Sequence, residues 1–155
     1  MNATTPGPPG PVAANEPDGN VRQAVPFFWV RDMEVSLRFY VDGLGFRRTN
    51  QWIDGGRLRW CWLERGGAAV MLQEFRTEGP HRNLAGEKVG KGVSICFLCR
   101  DAIALWREFT AKGLPARRPF VGNALWVTEV SDPDGYHLCF ESPTDAPEET
   151  VFEGN

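Results

Sequence analysis

The sequence predicts an α+β fold built from two consecutive βαβββ modules. The main observation is a repeated unit in which an apolar strand is followed by an aspartate, a helix and a glycine. Val25 and Ser94 lie at matching places in the two copies, each seven residues before the aspartate at position 32 or 101. Met71 and Cys139 match in the same way, 68 residues apart, near the end of each half. Such self-similarity indicates that one module occurs twice.

The first module is predicted between residues 23 and 76. Strand 24–30 leads to a helix that Asp32 caps, because an aspartate side chain accepts hydrogen bonds from the free N–H groups of a helix start. Gly43 and Gly45 end this helix, since glycine readily adopts the left-handed conformation of a helix end. Short DGG and RGG segments, typical of hairpins, separate three further strands: 46–53, 57–64 and 68–75.

The second module is predicted between residues 91 and 143, after a polar linker at 76–90 that contains His81. The DPDG segment at 132–135 is a strong turn signal before the last strand. The eight strands are expected to share one core, because a lone module would leave a large apolar sheet face in water. The predicted elements are strand 92–99, helix 102–112 and strands 115–120, 124–130 and 136–142.

Length, charge and composition exclude several classes of protein. The chain has 155 residues, a formal net charge of −3 and no run of eighteen apolar residues, so neither a basic nucleic-acid surface nor a membrane span is expected. Residues 1–22 are rich in proline, glycine, asparagine and alanine, which predicts a disordered arm. The acidic residues 144–155 are expected to form a loose tail. We therefore expect a single domain at 23–143 in a cytoplasmic protein.

The cysteines agree with this compartment. Cys96 and Cys99 form a C-x-x-C pattern, but on a strand the two side chains point to opposite faces and cannot bind one ion together. We interpret them, with the cysteines at 61 and 139, as small buried apolar side chains in a reducing cytoplasm.

Three stretches of the chain resemble the vicinal oxygen chelate superfamily of glyoxalases, extradiol dioxygenases, and fosfomycin- and bleomycin-resistance proteins. They are VRDMEVSLRFYVDGLGF (30–46), LERGGAAVMLQE (63–74) and VSDPDGYHLCFESP (130–143). With the second strand–helix unit, the resemblance covers roughly residues 22–143. It implies that the eight strands curl into a cupped mixed sheet, with helices on the outer face and a cavity inside. It also implies a homodimer with crevices at the subunit interface.

The resemblance further implies where metal ligands would lie in a metal-dependent member. Those four positions are Val25, Met71, Ser94 and Cys139 here, and none of them is histidine, aspartate or glutamate. A single thiol does not hold Zn²⁺, Fe²⁺ or Mn²⁺. We therefore expect no metal and no other cofactor, and a chain closest to the superfamily members that lack the metal ligands.

The last strand offers one alternative to this expectation. His137, Cys139 and Glu141 alternate along it, so all three face one side, where they could form an improvised metal site. Successive members lie about 7 Å apart, and an ion rarely gathers three such residues without partners from other strands. Polar groups at the rim of the cavity are the preferred interpretation.

The period of two along each strand also assigns side chains to the cavity. On the first strand Phe27 and Trp29 face inward, whereas Phe28 and Val30 face the helices. Trp60 and Trp62 follow on the third strand, Met71 and Gln73 on the fourth, and Trp126 borders the pocket. Arg59, Glu74 and Glu129 are expected at the polar rim. The predicted ligand-binding residues are Phe27, Trp29, Trp60, Trp62, Met71, Gln73, Trp126, His137, Cys139 and Glu141.

These residues indicate a small-molecule binding protein of the bleomycin-resistance type rather than an enzyme. Stacked tryptophans with a polar rim suit a planar, aromatic guest, including a cationic one, which would be sequestered from its target. The chain has no Gly-rich phosphate loop and no Ser-His-Asp set. Two alternatives remain open, a glyoxalase- or dioxygenase-like enzyme with an atypical metal site and a regulatory module that binds a metabolite. If the chain has no ligand cavity, the aromatic residues simply fill a core.

Overall fold

The computed structural model describes residues 23–76, 78 and 88–154, and it confirms the α+β class and the two βαβββ modules. The arm predicted at 1–22 and His81 lie outside the described residues. The elements, in chain order, are β1 (Phe27–Val30), α1 (Met33–Leu37) with a π-helical continuation (Arg38–Gly43), β2 (Arg47–Asp54), β3 (Arg57–Arg65), β4 (Ala68–Glu74), β5 (Ser94–Leu98), α2 (Ala102–Ala111), β6 (Phe120–Gly122), β7 (Leu125–Ser131) and β8 (His137–Pro143).

Each module forms its own four-stranded mixed sheet. The strand order is β1-β4-β3-β2 in the first module and β5-β8-β7-β6 in the second. The first strand of each module runs parallel to the last, and the other pairs are antiparallel. The eight strands of the predicted fold are thus divided equally between two mixed sheets of four. β1 and β5 each form the outer edge of their sheet.

The two helices begin as the sequence predicts. The carboxylate of Asp32 accepts hydrogen bonds from the backbone N–H groups of Glu34 and Val35, and the carboxylate of Asp101 accepts one from Ala104. The first helix ends close to the second module. A Cβ atom at Gly43 would lie 2.9 Å from the methyl groups of Leu114, so a larger residue at this position would require the Leu114 side chain to move.

The modules pack against each other through the sides of their sheets that carry the helices. One cluster of buried apolar residues includes members of both halves, among them Phe28, Phe46, Phe97 and Leu138. The rings of Phe46 and Phe97 lie 5.9 Å apart, in edge-to-face contact across the two modules. The opposite side of each sheet therefore remains uncovered within one chain. We call these two sides the first open face (β1–β4) and the second open face (β5–β8).

The described part of the tail, 144–154, differs from the expectation of a loose segment. Val151 forms an antiparallel bridge with Phe120, and the N–H of Phe152 donates to the carbonyl of Pro119 at 2.8 Å. The tail thus lies beside β6, joined to it by one isolated bridge and by backbone hydrogen bonds. β6 (Phe120–Gly122) begins only at the last residue of the strand predicted at 115–120, because proline at 115 and 119 cannot donate to a sheet. Among the described residues, no helix is long and apolar enough to cross a membrane.

Candidate functional site

The first open face is aromatic because β1 alternates between core and surface. Phe28 and Val30 are buried under the helices, whereas Phe27, 44% exposed, and the half-buried Trp29 point the other way. The rings of Phe27 and Trp29 are 5.7 Å apart, and Trp29 stacks on Phe75 at 5.2 Å. An aromatic cluster of this kind outside the core presents large, flat apolar surfaces to a ligand.

β3 and β4 extend the same face. Trp60 pairs with Gln73 and Trp62 with Met71 across the two strands, and all four side chains are half-buried. The indole N–H of Trp62 donates to the carboxylate of Glu64 at 2.8 Å, which fixes the orientation of this ring. The structure therefore brings Phe27, Trp29, Trp60, Trp62, Met71 and Gln73 to one side of one sheet.

Sequence reasoning missed two members of this face. Trp52 lies opposite Trp60 on β2 and is 44% exposed, and the guanidinium of Arg76 lies 5.8 Å from its ring centre. Phe75, which follows β4, stacks on Trp29. The DGG hairpin alone would place Trp52 opposite Arg59, and a register shift between Trp52 and Ile53 brings it opposite Trp60 instead, so the turn signal in the sequence could not have identified it.

The second open face is polar and carries two thiols. His137, Cys139 and Glu141 alternate on β8 and face this side, while Leu138 and Phe140 are buried towards α2. Cys96 on β5 and Glu129 on β7 are both opposite Cys139 in the strand register. Cys96 is exposed rather than buried, which corrects the sequence-based interpretation of this cysteine.

Burial and neighbouring charges change the pKa values of the two thiols on the second open face. Desolvation, reinforced by neighbouring acidic groups, raises the pKa of the Cys139 thiol to about 12. The pKa of Cys96 is raised as well, first by desolvation and then by its hydrogen bond to Glu141. Glu129 is held by Arg117 at 2.9 Å and lies 3.4 Å from the imidazole of His137. Both thiols are thus protonated at neutral pH in the absence of a bound cation.

The structure corrects the predicted position of Trp126. This residue pairs with Ser142, whose hydroxyl accepts a hydrogen bond from the backbone N–H of Ala102 at the start of α2. Trp126 therefore lies on the helix side of its sheet, and its ring is 6.2 Å from that of Phe152. On β7 it is Val127 and Glu129, the alternate positions, that face the second open face.

Arg59 and Glu74 are also displaced from the predicted rim. Glu74 is 2% exposed and faces α1, where its carboxylate accepts a hydrogen bond from the N–H of Met33 at 3.2 Å. Arg57 and Arg59 donate to the two oxygens of this carboxylate at 2.8 and 2.9 Å. These residues stabilise the helix side of the first sheet rather than a ligand site.

The four positions that the resemblance assigns to metal ligands do not come together as expected. Val25 precedes β1, and it is Phe27 that pairs with Met71. Ser94 pairs with His137, so the neighbour of Cys139 on β5 is a second cysteine. An open cleft of about 630 Å³ adjoins this end of the second sheet, lined by Lys88, Lys91, Gly92, Val93, Ser94, Ser131, Gly135 and His137.

Comparison with known proteins agrees with this architecture. The bleomycin resistance determinant encoded on transposon Tn5 is 20% identical, with a TM-score of 0.60, and the match covers 80% of this chain and 98% of that one. A bleomycin-binding protein complexed with bleomycin is 20% identical, with a TM-score of 0.60, covering 77% and 97%. The antibiotic-binding protein TnmS3 from Streptomyces sp. CB03234 is 20% identical, with a TM-score of 0.57, covering 79% and 97%. At this identity the likeness shows the fold.

No curated protein matches the sequence. The profile of the Glyoxalase/Bleomycin resistance protein/Dioxygenase superfamily matches residues 22–140, which is most of the chain. The two βαβββ modules of the structure agree with this match. The chain therefore belongs to that superfamily.

Proposed function

We propose that this protein binds a planar aromatic small molecule on its first open face and sequesters it without changing it chemically. The observation that carries the proposal is the aromatic surface formed by Phe27, Trp29, Trp52, Trp60 and Trp62. Phe27 and Trp52 are each 44% exposed, and the other three are half-buried. A monomeric protein rarely leaves a contiguous apolar patch of this kind in water unless it serves as an interaction site.

Stacking is the physical basis of the proposed binding. Flat rings of the guest would lie against indole and phenyl faces, and each such contact contributes about 0.5–1.5 kcal/mol beyond simple burial. The faces of tryptophan rings also attract cations, so a positively charged ring system would bind more tightly than a neutral one of the same size. Met71 supplies an adaptable apolar contact between the rings.

We further propose that the binding site is completed by a second copy of the chain, as the resemblance implies. The first open face of one copy would meet the second open face of the other. The exposed apolar residues Phe27 on β1 and Leu98 on β5, the latter 82% exposed, support this arrangement. The carboxylates of Glu129 and Glu141 would then face the tryptophans and balance the charge of a cationic guest.

Two structures with the same fold support the class of ligand. One is a bleomycin-binding protein complexed with bleomycin, and another is an antibiotic-binding protein. Both have the same fold as this chain, and the matched region covers 97% of each of those proteins. A cytoplasmic sequestration protein with no nucleic-acid or membrane partner fits this class.

A metal-dependent lyase or oxygenase is the second candidate function. One observation favours it, the grouping of two thiols, an imidazole and two carboxylates on the second open face. The two candidate functions differ in what happens to the bound guest. Sequestration returns the guest unchanged after the complex is denatured, whereas an enzyme of either kind would convert it.

The proposal is tested by titrating the protein with bleomycin and with ethidium, a simple planar cation, while tryptophan fluorescence is recorded. Binding should quench the emission, and Trp60→Ala or Trp62→Ala should weaken it by about 1–3 kcal/mol, the effect of losing an aromatic anchor. Trp126→Phe is the matched control, because this ring lies on the helix side and should leave affinity unchanged.

Native mass spectrometry of the untreated protein would complete the test. It reports the mass of the dimer and of any copurified guest in one measurement. A monomer that binds neither probe, with Trp60→Ala costing only stability, would contradict the proposed function.

A further inference from the structure

We infer that the second open face contains a thiolate metal site, in which Cys96, Cys139 and Glu141 bind a divalent ion of the Zn²⁺ class. The sulfur atoms of the two cysteines and a carboxylate oxygen of Glu141 all lie within 4.8 Å of one another. The inference goes beyond the proposed function, because it assigns a metal ion to side chains of the second module alone and is tested with no aromatic guest present.

The strand register explains why these three side chains converge. Cys96 and Cys139 are direct partners across the parallel pair β5–β8, and Glu141 follows Cys139 by two residues on the same side of β8. In a tetrahedral zinc site with Zn–S bonds of about 2.3 Å, neighbouring sulfurs lie about 3.8 Å apart. Rotation of the side chains can bring the two sulfur atoms to this separation, because the backbone already places the ligand atoms within 4.8 Å of one another.

A fourth ligand is available from the same face. His137, Glu129 and Cys139 form a second group whose ligand atoms lie within 4.8 Å of one another, and Cys139 belongs to both groups. The Nδ1 atom of His137 lies 3.3 Å from the hydroxyl of Ser131, a contact that orients the ring, and its Nε2 atom lies 3.4 Å from the carboxylate of Glu129, the other member of this group. Such outer contacts commonly hold a metal-binding imidazole in place.

The chemistry of the donors selects the ion. Two thiolates, one carboxylate and one imidazole favour Zn²⁺, and Co²⁺ as its spectroscopic substitute, over Mg²⁺ or Ca²⁺, which require oxygen ligands. Cys96 is exposed, so an ion can reach the site from solvent. This set shares only Cys139 with the four positions assigned by family resemblance, and all its members belong to one module.

The sequence disfavours a metal site formed by His137, Cys139 and Glu141 alone, because three residues of one strand need partners from other strands. The structure supplies those partners as Cys96 from β5 and Glu129 from β7. An ion bound at this site would contradict the expectation that the chain holds no metal.

The test is a titration of the reduced full-length protein with Co²⁺, followed by optical absorption. We expect one Co²⁺ per chain and a thiolate-to-cobalt charge-transfer band that Zn²⁺ displaces. Cys96→Ser and Cys139→Ser should each abolish most of the band, and Glu141→Gln should weaken binding at least about tenfold. Cys99→Ser is the matched control and should retain the full band, because this thiol packs against the core cluster instead.

Cys96→Ser keeps the test decisive if Cys139→Ser fails to fold, because Cys96 is exposed and tolerates a polar replacement. Folding of each variant is checked by circular dichroism. No charge-transfer band in the reduced wild type would overturn the inference. So would a band that persists in the folded Cys96→Ser variant, or that disappears in Cys99→Ser.

Discussion

The rings of Phe28 and Tyr136 stack with their centroids 4.1 Å apart, which joins the first strand of one module to the last turn of the other. The hydroxyl of Tyr136 also accepts a hydrogen bond from the N–H of Trp29 at 3.1 Å and donates one to its carbonyl at 3.2 Å. One residue of the second module thus holds β1, the strand that carries Phe27 and Trp29 on the first open face.

We expect Tyr136→Phe to lower the free energy of unfolding by about 1 kcal/mol, because the ring remains while the hydrogen bonds to Trp29 are lost. Tyr136→Ala removes the stacked ring as well and should cost about 3–5 kcal/mol. Urea unfolding followed by circular dichroism measures both values. Equal stability of the two variants would show that the stack with Phe28 contributes nothing.

The second prediction concerns pH. Burial raises the pKa of Asp132 to about 6, although its carboxylate accepts hydrogen bonds from Tyr40 and from the N–H groups of Asp134 and Tyr136. The folded protein therefore binds this proton more tightly than the unfolded chain. The contribution of Asp132 to stability rises as the pH falls through about 6, and it is complete below the ordinary value of 3.8.

Asp132→Asn should remove this contribution to the pH dependence. Its amide oxygen can still accept from the N–H groups of Asp134 and Tyr136, so the turn before β8 is retained. Between pH 7 and pH 5, the wild type should gain about 1 kcal/mol of stability relative to the variant. Urea unfolding of both proteins at the two pH values measures this difference, and parallel pH profiles would contradict the raised pKa.

The third prediction concerns the buried carboxylate of Glu74. Arg59→Met should lower the free energy of unfolding by about 1–3 kcal/mol, because a nearly inaccessible charge then loses a close partner. Arg57→Met should cost less, since Arg57 is 62% exposed and is already well solvated. Thermal and urea unfolding of the two single variants and the double variant check this order. A double variant as stable as the wild type would show that the arginines do not compensate the charge.

The fourth prediction concerns the tail. The ring of Phe152 lies 5.8 Å from that of Trp106 and close to Trp126, and the guanidinium of Arg107 lies 5.2 Å from it. Phe152→Ala should lower stability by about 1–2 kcal/mol, because a half-buried ring loses less than a fully buried one. Tryptophan emission should shift to longer wavelength as water reaches Trp106 and Trp126. Val151→Ala is the control, since Val151 is 52% exposed. A red shift in Val151→Ala without one in Phe152→Ala would contradict the packing of Phe152 against the two tryptophans.

Local signals in the sequence were sufficient for the order of elements. Asp32 and Asp101 mark the helix starts because helix capping depends on residues within one turn. The alternation on β1 correctly separates Phe28 from Phe27 and Trp29, because a strand with one buried face must alternate. These assignments need no knowledge of distant parts of the chain.

The remaining features depend on contacts between residues far apart in the sequence. Cys96 meets Cys139 only because β5 and β8 pair in parallel, across a long connection that includes α2. Trp126 turns towards α2, where Phe152 from the tail covers it, and the pattern of β7 alone does not show which of its two faces the helix covers. The buried carboxylate of Glu74 is stabilised because Arg57 and Arg59 donate to it from β3.

The two open faces differ in chemistry although the modules share one architecture. The first presents tryptophans and phenylalanine, and the second presents thiols, imidazole and carboxylates. Because both faces lie on the side away from the common core, residues on either one can be exchanged without repacking the interior. For protein engineering, the chain is therefore a scaffold whose two open faces can be changed without altering the shared core cluster. In the proposed dimer, libraries at Trp60 and Trp62 would have to be selected together with libraries at Cys96 and Glu141, because the two faces would meet between subunits.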